Sequence, residues 1–154
     1  MSFRIAGLDP KPFTPLHALS DDELSARGVV RVTIGAKNSA PCRISLDDAE
    51  IGEYVLLINY PHQPADTPYK QQGPIFVRET SVCADFTDAL PPALARRTLS
   101  LRGFDAAHMM IEADLVEGVD AATLIARFLA NENVAYIHAH YARRGCFAAT
   151  ITRA

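Results

Sequence analysis

The stretch VAYIHAHYARRGCFAATITR, Val134 to Arg153, decides how this chain reads. Its residues alternate in character on either side of a glycine-containing turn. That is the pattern of a β-hairpin, in which successive side chains point to opposite faces. In the first arm Tyr136, His138 and His140 share one face, while Ile137, Ala139 and Tyr141 share the other. A two-residue loop at Arg144-Gly145 would need positive φ at both positions, which suits Asn-Gly far better than Arg-Gly. A three-residue loop, Arg143-Arg144-Gly145, needs only its last residue in the left-handed region, and glycine stands there. This register pairs Ala142 with Cys146 and Tyr141 with Phe147. It predicts Cys146 on the histidine face, diagonal to His140, and a core face of Ile137, Tyr141, Phe147 and Ile151.

Upstream of the hairpin, Asp120 caps a predicted helix over Ala121–Ala130 whose Leu124, Ile125, Phe128 and Leu129 form one apolar stripe. Thr98–Phe104 and Met109–Val116 alternate and read as strands, and Pro92 opens a short helix ending near Arg97. Glu53–Tyr60 (EYVLLINY) is the most apolar strand candidate and is predicted to be central. PHQPADTPYKQQGP, residues 61–74, holds four prolines in fourteen residues and reads as a long irregular loop before a strand at Ile75–Glu79. Near the start, Phe3–Leu8 and Val29–Ile34 read as strands. Ser20–Glu23 is a capping-box pattern for a short helix, and Ser45–Gly52 reads as a second capped helical turn. The sum is α+β: a mainly antiparallel sheet of about seven strands, three or four short helices and a C-terminal hairpin.

A chain of 154 residues is expected to form a single domain spanning residues 1–154. Its apolar fraction of 49% and charged fraction of 21% are those of a globular protein rather than a disordered one. The net charge of −3 and the absence of any basic run longer than the pairs Arg96-Arg97 and Arg143-Arg144 argue against nucleic acid as a partner. The N-terminal segment lacks an apolar signal core, and no apolar run has membrane-spanning length. Three scattered cysteines, Cys42, Cys83 and Cys146, make no disulfide framework. A reduced, cytoplasmic protein with no membrane partner is the expectation; the oligomeric state is left open.

Three motifs in order, PCRISLDDAEIGE, NYPHQPADTPY with GPIFVRE, and IHAHYARRGCF, resemble a family of small bacterial proteins that carry a domain of unknown function. The resemblance covers essentially the whole chain and implies no reaction. It marks Cys42, Arg43, Asn59, His62, Pro68, Tyr69, Arg78, His138, His140, Gly145 and Cys146 as positions of interest without assigning roles.

Three chemistries compete for these residues. His138 and His140, at i and i+2 on a strand, can both reach one ion, and Cys146 with His62 would complete a tetrahedron suited to zinc. Opposed to this, no C-x-x-C or H-E-x-x-H spacing is present. A histidine beside Cys146 would lower the pKa of its thiol and make it a nucleophile, a role for which Cys42 next to Arg43 competes. The third reading is a binding module in which Arg43, Arg78 and Arg102 offer guanidinium forks to an anion, flanked by Tyr60 and Tyr69. Against each stands a plain structural role: packed thiols, backbone-bonded histidines and surface ion pairs. The favoured expectation is a small polar or anionic ligand, or a metal, bound where the loop 61–74 folds over the histidine face. His62, Tyr69, Arg43, Arg78, Tyr136, His138, His140 and Cys146 are the candidates. The alternative is a thiol- or metal-dependent enzyme at the same place, using Cys146 or Cys42.

Overall fold

A computed structural model describes residues 1–154. Strands β1 (Phe3–Ala6), β2 (Val30–Thr33), β3 (Tyr54–Gln63), β4 (Gln71–Arg78), β5 (Asp85–Thr87), β6 (Thr98–Phe104), β7 (Met110–Glu117), β8 (Tyr136–Tyr141) and β9 (Phe147–Arg153) are joined by helices α1 (Asp21–Ser25), α2 (Pro92–Ala95) and α3 (Ala121–Ala130). They form two antiparallel sheets. One has six strands in the order β5-β1-β9-β8-β6-β7, and the other has three in the order β2-β3-β4. The α+β class with its C-terminal hairpin therefore stands, with nine strands divided between two sheets where about seven were expected in one.

The α3 stripe packs as its period requires. Leu124, Ile125, Phe128 and Leu129 are buried and join Ile5, Leu99, Leu101, Ile137, Ala139, Tyr141 and Ile151 in the main core. Arg127, on the far side, stays exposed and pairs with Asp114 at 2.8 Å. Asp120 caps nothing with its side chain, because a 3-10 turn over Gly118–Asp120 runs directly into the helix. At α1 both halves of the capping box form, Ser20 Oγ accepting from the Glu23 amide and Glu23 accepting from the Ser20 amide.

Two sequence expectations fail between the sheets. Residues 45–52 form no helix. Leu46 adopts φ +55°, and the segment closes on itself through Cys42 N–H donating to Asp47 C=O. It then acts as a seam. Arg43 N–H donates to Phe76 C=O, Leu8 N–H to Arg43 C=O, and Ala93 N–H to Leu46 C=O, so one short segment stitches β4 to the elements flanking the large sheet. Gly7 lies against this seam so closely that a Cβ there would sit 1.9 Å from the Ile44 carbonyl oxygen.

The proline-rich stretch 61–74 is also shorter than expected. β3 continues through Pro61 and His62 by a bulge between Tyr60 and Gln63, and β4 starts at Gln71. A bulge is one of the few places in a sheet where proline's missing N–H costs nothing.

The hairpin turn uses Gly145 at φ +80°, the left-handed conformation that glycine supplies. In its body Ile137 opposes Ile151 and Ala139 opposes Ala149, but a bulge makes His140 oppose Phe147. That one-residue slip inverts the alternation at the turn. Phe147 turns onto the histidine face, and Cys146 turns away from it.

Candidate functional site

The face of β8 opposite α3 carries Tyr136, His138 and His140. His62, brought by the bulge in β3, lies over it with ring centroids 5.1 Å from His140 and 6.2 Å from His138. The expected approach of the proline-rich segment to this face is therefore found. Phe147 stacks on His62 at 5.3 Å and 7° and meets His138 and His140 edge-on. Tyr69 reaches the edge of the cluster only through Phe104, 6.1 Å away. Tyr136 accepts from Gln63 Nε2 at 2.8 Å and is also bonded to His108 Nδ1 at 2.8 Å.

The rings of this cluster pack closely together, with one guanidinium, Arg102, opposite His138 on the same face. His140 Nδ1 donates to the Gly145 carbonyl at 2.8 Å, which leaves Nε2 as the lone-pair nitrogen, 3.5 Å from Arg102. Burial, reinforced by the neighbouring histidines and Arg102, pushes the pKa of His138 down to about 3. Burial likewise pushes that of His140 down to about 4, against the opposing pull of the Gly145 carbonyl. The Nδ1 atoms of His62 and His138 are buried without a hydrogen-bond partner. No group of three or more His, Cys, Asp or Glu side chains is arranged to hold a metal ion. The zinc tetrahedron fails at Cys146, which the slipped register has removed from the histidine face.

Cys146 instead lines a cleft of about 810 Å³ on the other side of the hairpin turn, a volume within the usual range for small-ligand sites. Arg43, Arg96, Arg97, Arg143 and Arg144 converge there, with Tyr141 between them. The buried Asp48 engages Arg96 at 2.6 Å and Arg97 at 2.6 Å, and Glu117 on the rim accepts from Thr98. Five guanidiniums thus face two carboxylates.

Arg43 is only 2% exposed, yet it donates to two backbone carbonyls, Phe147 and Pro41, and to no carboxylate. Arg143 and Arg144 are exposed at the turn and enter no ion pair. The Tyr141 ring lies between Arg43 and Arg97, whose guanidinium carbons are 4.9 and 5.2 Å from its centroid. Its hydroxyl is buried without a partner, and burial raises its pKa to about 12, so it is a neutral donor at any ordinary pH.

The candidates read from the sequence therefore separate. His62, His138, His140 and Tyr136 come together, Tyr69 stands at their margin, and Arg43 and Cys146 belong to the cleft. Arg78 lies apart, held by Glu53 and by Asp47 at 2.9 Å. Cys42 is fully buried, its sulfur accepting from the amides of Ile44 and Arg78. Arg96, Arg97, Arg143, Arg144 and Tyr141 were not among the candidates. The two arginine pairs were visible as charge, but nothing local says that α2 and the hairpin turn meet.

No helix is long and apolar enough to cross a membrane. Comparison with curated proteins and with solved structures returned no match. The sequence profile of the family described as "Protein of unknown function (DUF1203)" matches residues 39–153, which takes in the seam, the histidine cluster and the hairpin turn, and the chain belongs to that family.

Proposed function

We propose that this protein binds a small anionic ligand, a carboxylate or phosphate, in the arginine-lined cleft rather than over the histidine face. One observation carries the reading. Arg43 is a buried guanidinium with no carboxylate partner, and it lies over the ring of Tyr141, whose buried hydroxyl has no hydrogen-bond partner. A buried charge without a counter-charge is costly, and a bound anion would satisfy both groups at once. Guanidinium forks fit planar carboxylates and phosphates. Arg143 and Arg144 at the mouth would draw such a ligand in.

The test is calorimetric titration with inorganic phosphate and with citrate, with neutral glycerol as the control. Saturable binding of either anion is expected, weakened at least tenfold by the double substitution Arg143→Ser, Arg144→Ser. Absence of anion binding in the unaltered protein would overturn the assignment.

A second reading is favoured by the position of Cys146, the one free thiol lining this cleft. We propose that, if the protein is an enzyme, Cys146 is the thiol presented to the anion. Alkylation by anionic iodoacetate should then be faster, relative to neutral iodoacetamide, at Cys146 than at the exposed Cys83. Equal ratios at the two thiols would count against it.

A further inference from the structure

We infer that the ligand of the arginine cleft is an amphipathic organic acid, with a carboxylate head at Arg43 and Tyr141 and an apolar body laid along the three-stranded sheet. This rests on the anion-binding reading above and adds the ligand's class. An inorganic anion or a short dicarboxylate is far smaller than a cleft of about 810 Å³. What borders the remaining space decides the rest of the ligand.

The wall facing the arginines is β3 and β4, contributing Leu57, Pro74 and Phe76. Leu57 opposes Phe76 on one side and Val30 of β2 on the other. Directly opposed residues of antiparallel strands project from the same face, so Phe76, Leu57 and Val30 form one unbroken apolar row. Strands lie about 4.8 Å apart, so the row runs about 10 Å across the sheet, a length suited to a medium acyl chain.

The row is covered at one end only. Phe76 packs against the small core of Ile34, Ala40, Ala49 and Val55. Leu57 is partly buried, and Val30 is 53% exposed. The other face of the same sheet is fully used, with Leu56, Ile75 and Val77 packed under Phe13 and Leu24. An apolar row that begins at a cationic pocket and ends in solvent is complementary to a molecule charged at one end and oily at the other. Each methylene that it covers would raise affinity about fourfold.

Titration of the full chain with acetate, octanoate (below its micellar concentration) and inorganic phosphate tests this. Octanoate is expected to bind at least tenfold tighter than acetate. Val30→Ser and Leu57→Asn should shrink that preference while leaving phosphate affinity within twofold, and the Val30 variant, at an exposed position, guards against loss of folding. Equal affinity for octanoate and acetate, or phosphate binding without octanoate binding, overturns the amphipathic class and leaves the anion site standing. If none of the three binds, both fall. Octanoate binding that Val30→Ser and Leu57→Asn do not alter would place the tail elsewhere and also overturn the inference.

Discussion

The two faces of one hairpin are built to opposite ends. On one, His138 and His140 are packed against His62 and Phe147 into a dense aromatic cluster with no carboxylate in it. On the other, Tyr141 and Cys146 border an open cleft crowded with guanidiniums. Both contain buried polar atoms without partners, but they mean different things. The orphaned nitrogens of His62 and His138 sit among packed rings, so their cost is absorbed by the burial around them. Tyr141, whose hydroxyl is orphaned, instead borders a cavity. Polar groups alone do not distinguish the two faces; adjacent space does.

On the proposed reading, the histidine side is a determinant of stability and the arginine side a determinant of binding. The largest expected effect is Phe147→Ala. This ring is 3% exposed and contacts all three histidines, so its loss should cost about 3–5 kcal/mol through lost burial and a cavity. Urea denaturation measures it. A cost below about 1 kcal/mol would mean that the cluster is not packed as a core.

Acid comes next. Because His138 and His140 titrate near 3 and 4 when folded and near 6.5 when unfolded, the unfolded chain binds more protons at intermediate pH. Their contribution is fully present above about pH 6.5 and is lost as pH falls toward 4, with a loss on the order of 3 kcal/mol or more across the pair. The double substitution His138→Gln, His140→Gln should flatten this part of the stability–pH curve. An unchanged slope would show that the acid sensitivity lies elsewhere.

The smallest expected change in stability is that of Tyr141→Phe. Removing a buried hydroxyl that has no partner should be neutral or stabilising by up to about 1 kcal/mol. The same substitution should weaken citrate or phosphate binding about tenfold, the worth of a hydrogen bond to a charged acceptor. Clear destabilisation with no effect on binding would reverse the roles assigned to the two faces.

Much of the architecture was legible locally. The α3 stripe, the alternation in β6 and the capping box at Ser20 depend on periods and caps that a few neighbouring residues define. The helix expected at Ser45–Gly52 failed for a nonlocal reason. Asp48, within that stretch, is taken up by Arg96 and Arg97 at the end of α2. Asp47 is taken up by Arg78 from β4.

For the candidate site, the sequence by itself determined that His138 and His140 share a face, because a strand's period of two admits nothing else. It also determined that Gly145 would sit in the left-handed turn, since only glycine enters that region without a Cβ penalty. Only the tertiary structure decided which partners those faces meet. A single bulge beside His140 exchanged Cys146 for Phe147 on the histidine face, and the pairing of two separate sheets brought Arg43, Arg97 and Arg144 around Tyr141. A bulge costs so little that no local residue preference announces it. Charges far apart along the chain carry no mark of their meeting until the chain is folded.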